Sequence, residues 1–284
     1  MPELPEVETI RLQLAEKIVG LKIADFEVDT AKMFSGEKRE LLGRKIKGLR
    51  RFAKVLVIDL EDGLSILIHL KMTGQLIYQK NSERVAGGHP IPPLNLPVPN
   101  KTTHAVLSFN NGAKLYFNDL RKFGWIKLAG TKGKEIDRLS REFGIGPLAK
   151  EFTLEHFAQK LKKYPNRPVK LAIMDQSLVP GMGNIYASEA LFLAKLNPNR
   201  KVSSLSQTGI ANLYSGIKKA LTTGLKYGGA SAAAYIKPDG EKGVYLNYAF
   251  VYNRAGEKCK KCGAIIKKEK IGARGTYFCP KCQL

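Results

Sequence analysis

The chain has 284 residues, 44% of them hydrophobic, with 47 Lys and Arg against 25 Asp and Glu and a formal net charge of +22. That length and apolar content suit about two folded domains with a sizeable core. No opening stretch has the charged, apolar, small-residue order of a signal peptide, and no apolar run nears the ~18 residues of a membrane span, so a cytosolic protein in a reducing compartment is expected. The charge excess implies a polyanionic partner, because neutralising phosphates releases counterions; with no polybasic segment tied to an apolar anchor, nucleic acid is favoured over a membrane.

The chain opens Met1-Pro2-Glu3-Leu4-Pro5-Glu6-Val7-Glu8-Thr9. An initiator Met before a small residue is usually trimmed, which would give Pro2 a free secondary amine beside the Glu3 carboxylate. An α-amino group titrates near pH ~8, so part of it is neutral and able to attack a sugar carbon as a Schiff-base nucleophile. On these residues alone, an ordinary helix start is the simpler account, since Pro and early acids favour first turns. A helix is predicted over Pro5–Val19, with Val7, Ile10, Leu14 and Ile18 as its apolar stripe and Gly20 as its stop.

Strands are predicted at Leu21–Val28, Lys45–Arg50, Val55–Leu60, Ser65–Leu70, Leu76–Gln79, Ala105–Phe109, Lys114–Phe117 and Trp125–Leu128, with turns at Asp62-Gly63 and Asn111-Gly112, which suggests a β-sandwich. Residues 82–103, rich in proline (Pro90, Pro92, Pro93, Pro97, Pro99), exclude a central strand or helix and read as one long loop. Helices follow at Lys134–Phe143, Leu154–Lys163, Val169–Gln176, Asn184–Leu193 and Ser206–Leu225, and Gly228-Gly229 opens a further loop to about Gly243. The run Pro180-Gly181-Met182-Gly183-Asn184 before a helix could bring backbone N–H groups to a phosphate, or could simply connect two helices.

All four cysteines lie in the last 26 residues, as Cys259-x2-Cys262 and Cys279-x2-Cys282 separated by 16 residues. Two such knuckles can hold one tetrahedral Zn²⁺, and four thiolates leave no position for a reactive water, so the expected zinc is structural. A reducing compartment disfavours the alternative of paired disulfides. The hairpin between the knuckles carries Lys267, Lys268, Lys270 and Arg274, a basic ribbon that could face DNA.

Together these stretches resemble the formamidopyrimidine-DNA glycosylase family of base-excision repair enzymes. The opening octet Pro2–Thr9 matches, as do His69-Leu70-Lys71-Met72-Thr73-Gly74, Asp119-Leu120-Arg121-Lys122-Phe123-Gly124, Gly183-Asn184-Ile185-Tyr186-Ala187-Ser188-Glu189 and Ala273-Arg274-Gly275-Thr276-Tyr277-Phe278-Cys279-Pro280, in family order across nearly the whole chain. Leu4 favours this branch over endonuclease VIII relatives. The resemblance implies an α+β chain: an N-terminal catalytic β-sandwich with its leading helix (1–130), a helix–two-turn–helix domain with a lesion-capping loop (131–243), and a C-terminal zinc ribbon (244–284). It also implies a monomer acting on damaged double-stranded DNA, with the lesion flipped out of the stack.

Residue roles follow from the same resemblance. Pro2 would attack the sugar C1′, Glu3 would move protons for ring opening and elimination, and Glu6 would help fix the leading helix and the amine. Lys54, in Arg50-Arg51-Phe52-Ala53-Lys54, would contact phosphate and assist strand cleavage, and Arg274 would hold the phosphates flanking the flipped nucleotide. Asn184 and His104 would be DNA contacts, with Arg167 and Lys170 as further phosphate candidates. Met72, Arg121 and Phe123 match an intercalating trio that fills the vacated stack. His69 suits a DNA contact and a hydrogen-bonded strand-end histidine equally.

Four departures stand out. Ala232, Ala233 and Ala234 replace more polar residues in the capping loop, Gly144–Leu148 lacks an acid, the proline-rich loop is long, and Asn253 stands where glycine is common. The favoured reading is a bifunctional glycosylase and abasic-site lyase for oxidised purines. An oxidised-pyrimidine preference and a non-catalytic damage-binding protein are the alternatives.

Overall fold

The structure, a computed structural model, describes residues 1–229 and 245–284. The chain divides into two compact units. One holds Met1–Arg141 and, of the described residues, Tyr227–Gly229; the other holds Glu142–Lys226 and Tyr245–Leu284.

The first unit begins with α1 (Leu4–Ile18), followed by β1 (Ile23–Val28), β2 (Phe34–Ser35), β3 (Ile46–Phe52), β4 (Val55–Leu60), β5 (Leu64–His69), β6 (Gly74–Lys80), β7 (Glu83–Gly88), β8 (Thr103–Phe109), β9 (Lys114–Asp119) and β10 (Trp125–Gly130). They form two five-stranded sheets, ordered β1-β8-β9-β6-β7 and β2-β10-β5-β4-β3. The core between them takes Ile23, Phe26, Leu76 and Phe117 from one sheet and Leu49, Leu56, Ile66 and Ile126 from the other; Val7, Ile10, Leu14 and Ile18 of α1 join it. The expected apolar stripe is therefore the face that packs. Gly87 of β7 lies against the Ile10 side chain where a Cβ would collide.

The expected single loop over 82–103 is corrected at its start: residues 83–88 form β7, which pairs antiparallel with β6 from Lys80↔Glu83 to Gln75↔Gly88. The prolines begin only at Pro90, and β7 is an edge strand, so no proline interrupts a ladder. The remaining loop is packed, with Leu94 buried among Ile77, Ala86 and Tyr116. Arg84 donates to the Leu94 and Leu96 carbonyls, and Gln75 to those of His89 and Pro92.

The strand register decides where the connecting turns fall. Gly74 pairs with Asp119 across β6 and β9, while His69 pairs with both Val55 on β4 and Trp125 on β10. The β3–β4 turn, the β5–β6 crossover and the β9–β10 crossover therefore share one end of the sandwich. These connections carry Lys54, Met72, Arg121 and Phe123.

Helix α2 (Lys134–Phe143) then leads out of the sandwich. The second unit contains α3 (Leu154–Leu161), α4 (Val169–Ile173), α5 (Asn184–Leu193), α6 (Gln207–Lys226), α7 (Tyr245–Tyr248) and the hairpin β11 (Lys267–Ile271) with β12 (Arg274–Phe278). Helix α5 is almost wholly buried, and Gly216 of α6 passes against the Ala190 carbonyl, where a Cβ would sit 2.5 Å away. The buried Glu189 carboxylate accepts the backbone N–H groups of Phe250, Val251 and Tyr252, which fixes the chain entering the ribbon. Asn253 has φ +59°, a left-handed conformation that explains why the common glycine is replaced here by Asn, the side chain that tolerates it best. The second stretch of the expected capping loop, including Ala232–Ala234, lies outside the described residues. Among the described residues no helix is long and apolar enough to cross a membrane.

Candidate active site and nucleic-acid interface

Pro2, Glu3 and Glu6 are buried at the start of α1. Glu3 and Glu6 form a reciprocal capping box, in which Glu6 Oε2 accepts the Glu3 backbone N–H at 2.7 Å. This satisfies two N–H groups that a helix start otherwise leaves open, and it fixes the backbone beside Pro2. Gly229 passes so close to Glu6 that a Cβ there would lie 2.6 Å from Glu6 Oε1. No sequence pattern signalled that approach.

Lys54 stands on the two-residue turn that joins Phe52 to Val55, next to Ala53 at φ +51°. Arg51 holds this turn by donating from Nη1 to the Ala53 carbonyl at 2.8 Å, and it reaches α1 by donating from Nε to Glu8 Oε2 at 2.8 Å. Glu8 also accepts from Arg11, which in turn reaches the Leu49 carbonyl. Burial raises the Glu8 carboxyl pKa, but hydrogen bonds from Arg11 and Arg51 outweigh it and hold the group below the usual carboxylate range. The helix that follows Pro2 and the turn bearing Lys54 are thus tied by one ion-pair network.

His69 ends β5 with its ring against Trp125. Its Nδ1 accepts the Lys71 backbone N–H at 2.9 Å, so a neutral ring carries its proton on Nε2. Burial, reinforced by the Lys71 and Lys54 cations, lowers its pKa to about 3. Met72 follows, half-buried, while Arg121 and Phe123 are exposed, with the guanidinium 4.6 Å above the Phe123 ring. The expected trio is therefore brought to one end of the sandwich.

His104, expected as a DNA contact before a sandwich strand, lies within β8 and is turned inward. It is 3% exposed, and both ring nitrogens are engaged: Nε2 donates to the Asp119 carbonyl at 2.9 Å and Nδ1 faces Thr30 Oγ1 at 3.0 Å. Its place within β8 turns the ring inward, which a one-dimensional motif does not reveal.

In the second unit, Arg167 is exposed and pairs with Asp175 at 2.9 Å. Lys170 is fully buried and donates to Thr276 Oγ1 at 2.6 Å, so this ammonium braces β12 from inside instead of lying open to a phosphate. Asn184, the first residue of α5, donates from Nδ2 to the Gly275 carbonyl at 3.0 Å; its buried Oδ1 has no partner among the described residues. Both side chains grip the strand next to Arg274, which is exposed and has no side-chain partner among the described residues.

The four cysteine sulfurs lie within 4.8 Å of one another, and none is in a disulfide. Cys259 and Cys282 are 4.0 Å apart, and Cys262 and Cys279 are 3.5 Å apart. A tetrahedral zinc site with bonds of ~2.3 Å has edges of ~3.8 Å, so the cluster fits the ion. Lys261 N–H points at Cys259 Sγ at 3.4 Å, the knuckle contact that supports a thiolate ligand.

Three family models match the chain: the formamidopyrimidine-DNA glycosylase N-terminal domain over residues 1–126, its H2TH domain over 143–235, and a zinc finger found in FPG and IleRS over 256–284. The chain is 38% identical to a formamidopyrimidine-DNA glycosylase of Pelotomaculum thermopropionicum, covering 100% of this chain and 99% of that one. It is 37% identical to the Listeria monocytogenes enzyme, with both chains covered in full. Among solved structures, a Lactococcus lactis FPG mutant in complex with Fapy-dG-containing DNA matches with TM-score 0.86 and 35% identity over 99% of both chains. MutM in complex with carbocyclic 8-oxo-G-containing DNA matches with TM-score 0.85 and 34% identity over 100% of both. With its sandwich, its buried Pro2-Glu3 start and its four-thiolate ribbon all in family order, the chain belongs to the formamidopyrimidine-DNA glycosylase family.

Proposed function

We propose that Pro2, once freed of Met1, is the nucleophile with which this base-excision repair glycosylase and abasic-site lyase removes oxidised purines. The observation that carries this reading is the buried Pro2-Glu3 start, locked by the Glu3–Glu6 capping box in a chain of this family. In the full chain Pro2 nitrogen is an amide; removal of Met1 makes it a secondary amine, and an α-amino group titrating near pH ~8 is partly neutral and able to attack.

Attack on C1′ of the flipped nucleotide forms an N–C bond and breaks the glycosidic bond, and the base leaves with a proton. Opening of the sugar ring breaks C1′–O4′ and leaves an iminium, with Glu3 delivering the proton to O4′. The same carboxylate is suited to mediate the proton removal at C2′ that expels the 3′-phosphate by β-elimination. Lys54 supplies positive charge for a phosphate near the lesion. Arg274 holds the flanking phosphates from the ribbon, with Asn184 and Lys170 fixing its strand and Arg167 contributing at the unit's surface. Met72, Arg121 and Phe123 occupy the opened stack, and His69 donates from Nε2. Zinc bound by Cys259, Cys262, Cys279 and Cys282 supplies structural cross-linking of the ribbon and no reaction chemistry.

The alternative reading, a preference for oxidised pyrimidines, draws support from wild-type Lactococcus lactis FPG, 36% identical with TM-score 0.85, whose structure is a complex with an oxidised-pyrimidine-containing DNA. A cytoplasmic, nucleoid-associated monomer is the location and state consistent with this role. The test is borohydride trapping on abasic-site duplex DNA, with the N-terminus sequenced by mass spectrometry. A covalent adduct at Pro2 is expected. Active protein that retains Met1, or Met1-free protein that gives no adduct, overturns the assignment.

A further inference from the structure

The β5–β6 and β9–β10 crossovers both leave one sheet and enter the other, and each carries part of the Met72, Arg121 and Phe123 set. Such turns have few ladder bonds of their own, so something must hold them in register. That element is Asp119, the last residue of β9, which is 0% exposed. Its Oδ1 accepts the Thr73 hydroxyl and the Arg121 backbone N–H. Its Oδ2 accepts the N–H groups of Phe123 and Gly124 at 2.9 and 2.6 Å. Four donors, none of them charged, therefore converge on one carboxylate.

The geometry assigns Asp119 as the positioning residue for base displacement: it locks the Arg121–Phe123 turn directly and the Met72 turn through Thr73. Arg121 N–H also reaches Thr73 Oγ1 at 3.0 Å, which closes a ring between the two crossovers. His104 holds the hub from behind by donating to the Asp119 carbonyl, and Thr102 accepts the Asp119 N–H. Gly124 is required by the same design, because a Cβ there would lie 2.6 Å from the Phe117 ring and 3.0 Å from Asp119 Oδ2. Lys122, between the two wedge residues, has φ +56°, a strained state that the four hydrogen bonds hold in place.

This inference rests on the reading of Met72, Arg121 and Phe123 as the stack-filling set. It separates two reactions. Excision from an intact pair needs the wedge placed accurately, whereas a preformed abasic site has no base to displace. In Asp119→Asn the amide NH₂ must face one pair of donors, and in Thr73→Val the link between the turns is lost.

The experiment measures single-turnover rates on 8-oxoguanine:C duplex and on abasic-site duplex for Asp119→Asn, Thr73→Val, Thr73→Ser and the wedge truncations Met72→Ala and Arg121→Ala. Because a ~1 Å misplacement can cost ~100-fold, Asp119→Asn is expected to lose about that factor in excision while abasic cleavage falls less than ~3-fold. Thr73→Val is expected to lose about 10-fold in excision alone, and Thr73→Ser to restore it. If the truncations reduce excision but Asp119→Asn and Thr73→Val leave it near wild type, the positioning role is overturned. Equal loss on both substrates overturns it too, as does failure of Thr73→Ser to rescue. If the truncations themselves leave excision intact, the wedge reading falls and this inference with it. Should Asp119→Asn fail to fold, the two Thr73 variants decide.

Discussion

Arg51 and Glu8 join two parts of the candidate site that lie 43 residues apart in the chain, through a 2.8 Å bond between Arg51 Nε and Glu8 Oε2. Their side chains are 14% and 17% exposed. Removing one partner of so shielded a pair leaves the other poorly compensated, so Glu8→Gln is expected to destabilise the protein by about 3 kcal/mol at neutral pH. The Glu8 pKa is depressed in the folded state, so its contribution is complete above the unfolded carboxyl value of about 4.3 and fades as pH falls towards the folded one. Thermal unfolding of wild type and Glu8→Gln should therefore show a gap that is constant from pH 8 to about 5 and narrows below about 4. A gap that widens on acidification contradicts the linkage.

A second expectation concerns His69. With Nδ1 accepting from Lys71 and a pKa lowered to about 3 by burial and two lysines, the ring stays neutral across the working range. Nitrogen-detected NMR is expected to find the Nε2–H tautomer unchanged from pH 8 to about 5, well below the ordinary histidine midpoint of about 6.5. A titration near that midpoint would refute the assignment. His69→Gln is expected to weaken DNA affinity without altering its pH dependence.

Ala53 gives a third. A left-handed φ of +51° costs a residue with a Cβ about 1 kcal/mol that glycine avoids. Ala53→Gly is expected to stabilise the fold by up to about that amount in denaturant titration. The same change frees the Lys54 turn, so strand cleavage should slow while stability rises. Cleavage at the wild-type rate would show that the turn needs no such restraint.

The ribbon supplies a fourth. Cys279→Ser removes a buried thiolate, and the expected zinc content falls from one ion per chain to none, because metal binding and folding are coupled here. Release of Arg274 and the surrounding lysines from a fixed hairpin should weaken DNA binding by at least ~10-fold and flatten its salt dependence. Active wild-type protein that analyses free of zinc would defeat this account.

Much of this molecule could be read from residue order. The α1 stripe and the cysteine spacing specify their own geometry, because helix periodicity and knuckle turns are local. The turn at Asp62-Gly63 is equally local, with both residues at positive φ. Strand β7 is not announced by its own sequence, because Glu83-Arg84-Val85-Ala86-Gly87-Gly88 has almost no β-branched content; it forms because β6 offers a free edge and Asn81, at φ +53°, turns the chain back onto it. His104, Lys170, Asp119 and Arg51 share a different difficulty. Each acts through a partner 15 to 106 residues away or across a sheet crossover, and nothing in the neighbouring sequence announces whether a polar side chain will turn inward. The family resemblance implies DNA contacts for the first two, and it gives the other two no role although both lie inside matching stretches.

Phe123 is 52% exposed, held out by the turn that Asp119 fixes, with the Arg121 guanidinium over one face. A ring kept half in water retains an unsatisfied hydration cost, and transferring the rest of it into stacked bases releases roughly 1–2 kcal/mol. Calorimetry of duplex association should accordingly carry a negative heat-capacity change that shrinks in Phe123→Ala, so the unliganded protein already holds part of the driving force for opening the helix.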